Sequence, residues 1–178
     1  TYIAFYKPRG VLSTMSDPEN RPSLGDYFKE SGVRLFHIGR LDKESEGLIL
    51  LSNDGELTHR ATHPSYGLTK KYLVEIENPL ATGSEKAILD GVDLEDGLAK
   101  ADSLKKIRDT KSGSAWYEIS IHEGRFHIVR RIFEHLGQTV LQLIRTNFGP
   151  ISIGELKPGR YRHLNQGEIE KLFNVLEI

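Results

Sequence analysis

The sequence predicts an α+β fold, and three observations carry that reading. Several runs alternate apolar and polar residues with a period of two, as strands do. One run, residues 126–136, repeats its apolar residues with a helical period, and no fixed repeat or low-complexity stretch points to a solenoid or a linker. With 178 residues, 38% of them hydrophobic, the chain is long enough to bury a sizeable core, in one domain or two tightly joined halves.

Residues 2–6 alternate as a strand that ends at the turn Lys7-Pro8-Arg9-Gly10. Ser23 to Asp26 has the form of a capping box ahead of a short helix bearing Leu24, Tyr27 and Phe28, with Gly32 placed to stop it. Residues 36–40 and 47–52 read as strands, the second apolar on both faces and therefore central in its sheet; Asp42 lies in the loop between them. Asn53-Asp54-Gly55 signals a turn, and a helical stretch over 56–62 ends before Pro64. Residues 70–77 alternate again, which puts Lys70, Tyr72 and Val74 on one face. A helix near 85–90, short strands near 103–108 and a stronger strand over 115–122 follow.

Over 126–136 the apolar face is Ile128, Val129, Ile132, Phe133 and Leu136, with Gly137 as the stop. Each helical residue turns ~100°, so the neighbours Arg130 and Arg131 sit on opposite flanks and cannot serve one point. Residues 140–146 read as a strand, and the segment from Asn165 to Glu168 caps a last helix with Ile169, Leu172, Phe173 and Leu176 inward.

Composition removes several functions. The chain has no cysteine, which excludes a disulfide framework, a thiolate zinc site and a cysteine nucleophile, and fits a reducing cytoplasm. Its longest apolar run, residues 47–51, is far short of the ~20 residues of a membrane span, so a cytoplasmic protein is expected. A net charge of −1 means that any nucleic-acid binding must use local basic surface. Arginine and histidine do cluster at 122–131 and 157–163, whereas 85–102 is largely acidic. Neither G-x-G-x-x-G nor a phosphate-binding loop is present. His59 and His63 are four apart, but Arg60 stands where a zinc-protease helix needs glutamate, and no metal is expected. Ser45 lacks the G-x-S-x-G setting of a hydrolase nucleophile. What remains is a carboxylate in GRLDKESEGLILLSNDG, where Asp42 is pinned between two strands with Arg40 and Lys43 near it. Taken by themselves, Asp42, Glu44 and Glu46 read as solvated loop charges.

A series of ordered motifs changes that reading. Lys7 to Gly10 fits a strand-ending K-P-x-G turn; the 17 residues from Gly39 to Gly55 fit G-R-L-D-x-x-[ST]-x-G-L-L-L-L-[ST]-N-D-G; Lys70-Lys71-Tyr72 fits K-x-Y. Glu123 to Arg131 fits E-G-R-x-H-Q-V-[RK]-R, and Leu143-Ile144-Arg145 fits L-x-R. In these motifs the chain resembles the RsuA/RluB branch of the pseudouridine synthases. The resemblance implies a mixed, mainly antiparallel sheet with flanking helices and a central catalytic cleft, one catalytic domain over 1–178 in two halves joined near 62–68. It also implies isomerisation of a uridine in ribosomal RNA, with no cofactor and no metal. Asp42 would attack C1′ or take the 2′ proton. Tyr72, otherwise a core aromatic, would stack on the freed uracil, and Arg130 would pair with Asp42. Arg40, Lys70, Arg125, Phe126, His127, Arg131, Arg145, Arg160 and Arg162 are the expected RNA-binding residues, Phe126 and His127 filling the gap a flipped base leaves and the arginines Arg131, Arg145, Arg160 and Arg162 positioning phosphates.

The chain departs from the motif at Ile128, where the branch has glutamine, and the small N-terminal RNA-binding domain usual in the branch is expected to be absent. The stretches Thr62-His-Pro-Ser-Tyr66 and Glu95-Asp-Gly97 favour the RluB type, which acts on large-subunit 23S RNA, over the small-subunit 16S type. A monomer is expected. The rival readings are a glycosidase-like hydrolase, which needs a second carboxylate to activate water, and an RNA-binding module without catalysis.

Overall fold

A computed structural model of the chain describes residues 1–125 and 127–178. In chain order its elements are β1 (Tyr2–Lys7), a 3-10 turn (Leu24–Tyr27), β2 (Phe36–Ile38), β3 (Glu46–Ser52), α1 (Gly55–Thr62), β4 (Lys70–Ile76) and α2 (Ser84–Asp90). There follow β5 (Val92–Leu94), β6 (Gly97–Ala99), β7 (Ser103–Asp109), β8 (Ala115–Ile121), α3 (Ile128–His135), β9 (Val140–Phe148), β10 (Ile151–Ser152), β11 (Tyr161–His163) and α4 (Gln166–Val175). They fall into two compact units, residues 1–68 with 145–178 and residues 69–144.

The first unit is built on β3, whose seven residues are all buried, as its two-sided apolar sequence requires. β1 runs antiparallel along its whole length, from Tyr2 opposite Ser52 to Lys7 opposite Gly47, and β11 adds to the far side of β1. The other edge of β3 is shared. β2 takes the end from Leu50 to Ser52, and the backbone of Arg145 in β9 lies against Gly47. Alternation then sorts the side chains onto two faces. Ala4, Leu48 and Leu50 pack with Ile38, with Leu57 and Ala61 of α1 and with Leu172 of α4. Ile3, Phe5, Ile49 and Leu51 pack with Leu24, Phe28 and Leu35. The helices are capped as their sequences ask: Asp54 accepts from Leu57 N at 3.1 Å, and Asn165 and Glu168 form a reciprocal capping box.

In the second unit β4 pairs β8 and β8 pairs β7, both antiparallel. Tyr72, Val74 and Ile76 stand opposite Ile119, Tyr117 and Ala115, so one face of this ladder is apolar and buried. Among the described residues the structure has four α-helices. β1 pairs antiparallel with β3 and β11, β2 with β3, and β8 with β4 and β7, so the α+β fold with a mainly antiparallel sheet is borne out. No helix among the described residues is long and apolar enough to cross a membrane.

Besides the short strands β10 and β11, which the sequence reading does not contain, the structure departs from it at three places. The capping box at Ser23 forms but opens only a 3-10 turn, because Gly25 passes against the Met15 carbonyl and Phe28 leaves helical geometry at φ −127°. α3 begins at Ile128, since His127 takes a left-handed φ of 52° that no α-helix can include. The acidic stretch near 92–99 hides a hairpin, β5 with β6.

Candidate active site

Asp42 is half-buried in a loop whose backbone is held by several hydrogen bonds. Lys43 and Glu44 are exposed, whereas Leu41, Ser45 and Glu46 are buried. Ser45 N donates to Asp42 O at 3.0 Å and closes a tight turn. Before Asp42, the buried Ser13 hydroxyl donates to Leu41 O at 2.7 Å and accepts from Leu41 N at 3.0 Å. After it, Gly10 N donates to Lys43 O at 2.7 Å, and Lys7 Nζ reaches the same oxygen at 3.4 Å.

Lys7 is wholly buried, and its ammonium also donates to Val11 O at 2.7 Å and Pro8 O at 2.9 Å. Three carbonyls for three N–H bonds is what lets a charge sit there. Burial still lowers Lys7 from 10.5 to about 8, against the opposing pull of Glu46, Asp42 and Glu44. A base whose folded value lies below its unfolded value is carried protonated at a cost. That cost is complete below pH about 8 and disappears as pH rises toward 10.5. The unfolding free energy of the native protein relative to Lys7→Met should therefore increase from pH 8 to pH 10.5, by on the order of 3 kcal/mol at most. Urea unfolding of both proteins at three pH values checks this, and a constant difference would contradict it.

Tyr72 sits inward on β4 opposite Ile119, only 8% exposed, and Lys70 is half-buried at the start of the same strand. On α3, Arg130 is half-buried and Ile128 is buried on the apolar face, as the helical count requires. The next residue, Arg131, places Nη1 3.1 Å from Asp96 Oδ2, on the turn between β5 and β6. Arg125 converges on the same carboxylate at 3.1 Å, pairs with Glu123 and donates to Leu98 O at 2.8 Å. The Arg131 guanidinium holds Asp96 below the usual carboxylate range. A carboxylate thus occupies the place that the sequence assigns to phosphate. His127 is half-buried ahead of α3, and Phe126 lies outside the described residues.

Of the other cations, Arg40 and Arg160 are exposed, and Arg162 pairs with Glu168 at 2.7 Å while donating to Ser152 O at 3.0 Å. Arg145 corrects the expectation of an outward phosphate contact. It is 3% exposed, Nε donates to Leu48 O at 2.8 Å, and the guanidinium lies over Phe148 at 5.1 Å. Gly47, lacking a side chain, lets the Arg145 backbone come this close. Its Nη2 and the Ser45 hydroxyl are buried with no hydrogen-bond partner among the described residues. Sequence reasoning missed Lys7, Ser13 and Asp96. A lysine ending an apolar strand just before Pro-x-Gly is the one signal that could have found Lys7.

Comparison with known proteins shows the family. A crystal structure of a pseudouridylate synthase superposes with a TM-score of 0.82 at 33% identity, covering 96% of this chain and 73% of the other. An uncharacterized RNA pseudouridine synthase of Mycobacterium leprae is 42% identical over 175 residues, 97% of this chain and 68% of that protein. Ribosomal large subunit pseudouridine synthase B of Bacillus subtilis is 34% identical over 172 residues, 96% of this chain and 70% of that protein. Fold and sequence together define an enzyme of the pseudouridine synthase class. Residues 1–135 match the RNA pseudouridylate synthase family, and the chain belongs to it.

Proposed function

We propose that this enzyme converts a uridine of large-subunit 23S ribosomal RNA to pseudouridine during ribosome biogenesis in the cytoplasm, with Asp42 as its catalytic carboxylate. The observation that carries the reading is the placement of Asp42 on a turn fixed by hydrogen bonds from the preceding chain, a mounting that suits a group aimed at one atom. The name of the Bacillus subtilis relative supports the ribosomal large-subunit target.

The reaction moves a glycosidic bond from N1 to C5 of the same base. It neither adds atoms nor transfers electrons to a partner, so its balance asks for no cofactor and no metal. Asp42 attacks C1′ or removes the 2′ proton; either way the bond to N1 breaks through a cationic sugar that the carboxylate stabilises. Tyr72 stacks on the freed uracil and helps take the C5 proton, and Arg130 is the cation assigned to pair with Asp42 during the reaction. Arg40, Lys70, Arg125, His127, Arg131, Arg160 and Arg162 hold the RNA, and Phe126 with His127 fills the stack the uridine leaves. For Arg125 and Arg131 this requires exchange of Asp96 for phosphate. The enzyme acts as a monomer.

Mapping pseudouridine in ribosomal RNA from cells with and without the gene tests the assignment. One missing position in 23S RNA is the expected result, and a position missing from 16S RNA would redirect the target. Tyr72→Phe keeps the ring and is expected to bind RNA normally while the single-turnover rate falls ~10-fold or more. An unchanged rate would leave Tyr72 with stacking alone.

A further inference from the structure

We propose that Ser13 is a positioning residue for Asp42: its hydroxyl fixes the peptide on which the carboxylate is carried, and the rate depends on it although it touches no substrate. The proposal rests on Asp42 being the catalytic carboxylate.

Leu41, the residue before Asp42, is not part of a strand, so its N–H and C=O have no ladder partner. Both are satisfied by one atom, Ser13 Oγ, which donates to the oxygen at 2.7 Å and accepts from the nitrogen at 3.0 Å. A hydroxyl is the smallest side-chain group able to do both. Ser13 is 4% exposed, so water does not compete for the site. Two residues on, Lys43 O takes Gly10 N at 2.7 Å and Lys7 Nζ at 3.4 Å. The segment from Lys7 to Ser13 therefore grips the chain on both sides of Asp42 and leaves that residue between two fixed peptides. Ser13 itself is tied in by its own neighbours: Leu12 N donates to Pro22 O at 2.9 Å, and Leu24 N donates to Leu12 O at 3.1 Å.

A displacement of ~1 Å at a reacting group can cost ~100-fold in rate even when binding is intact. Ser13→Ala removes the hydroxyl that holds Leu41 and leaves its buried N–H and C=O unsatisfied, so the Asp42 backbone gains freedom that attack on a sugar carbon does not tolerate. A merely structural serine would lower the melting midpoint and nothing else well below it.

The test uses the full chain and 23S ribosomal RNA transcribed with uridine tritiated at C5, because isomerisation releases that hydrogen. Single-turnover rate at saturating enzyme, RNA affinity by filter retention, and amide exchange at Leu41 are read for the native protein, Ser13→Ala, Ser13→Cys and Asp42→Asn at a temperature where all are folded. The expected result is a rate ~10- to 100-fold lower in Ser13→Ala with affinity within about twofold and faster exchange at Leu41. Ser13→Cys, which keeps a weak donor and acceptor in a similar volume, should lie between, and it carries the test if the alanine variant does not fold. Faster exchange at Leu41 with a rate within twofold of the native protein in every serine variant that folds would overturn the proposal. An active Asp42→Asn enzyme would instead overturn the assignment of Asp42.

Discussion

Asp42→Asn is expected to lower the single-turnover rate on ribosomal RNA by ~1,000-fold or more while leaving the melting midpoint nearly unchanged. Asparagine has the shape of aspartate, and the half-buried turn that carries residue 42 is held through backbone atoms of Leu41, Asp42 and Lys43, bonded by Ser13 Oγ, Ser45 N, Gly10 N and Lys7 Nζ, which the substitution leaves in place, so the fold loses little. The chemistry loses everything that depends on charge: a neutral amide is a poor nucleophile toward C1′, a poor base toward the 2′ proton and a poor counter-charge for a cationic sugar. The same change removes one of the three carboxylates that oppose the lowering of Lys7, so the Lys7 value should fall further below about 8. Tritium release measures the first effect and circular dichroism the second. A rate within tenfold of the native enzyme would remove Asp42 from the mechanism.

Gly47→Ala is expected to destabilise the protein by ~3–5 kcal/mol, enough to lower the melting midpoint of a chain this long by ~10 °C. Gly47 has φ +113°, and a Cβ built there would lie 2.2 Å from Arg145 O and 2.6 Å from Arg145 N. Both atoms are backbone, so no flexible side chain can give way, and β3 would have to part from Arg145. Gly55→Ala is the control. It starts α1 with nothing within 4 Å of the added carbon and should be neutral or slightly stabilising. A Gly47→Ala midpoint within 2 °C of the native protein would show that β3 can shift to make room. Because Gly47 follows the Asp42 turn closely, a variant that folds at low temperature should also be slow.

β1, β3, α3 and α4 are legible in the sequence because burial and periodicity specify them locally: β3 is apolar on both faces, and α4 announces itself by its capping box. β5, β6, β10 and β11 are two or three residues long and exist through their pairing partners, so no periodicity can reveal them. At the site, the motif draws attention to Asp42 but says nothing of what holds it. Ser13 and Lys7 act on backbone oxygens and nitrogens, which every residue possesses and no pattern marks. Arg145 misleads for the opposite reason: charge suggests surface, and only the missing side chain at Gly47, with Leu48 O and Phe148 as partners, explains an arginine inside.

β7 has β8 on one side and ends the strand order of its sheet, so its outer backbone is an open invitation to a strand from another molecule. Lys105, Lys106 and Arg108 are all exposed along it, and the register slips between Lys106 and Arg108. A second copy aligned on that border would bring like charges together along a backbone that the slip has already bent out of line. The border thus disfavours edge-to-edge pairing with a second copy.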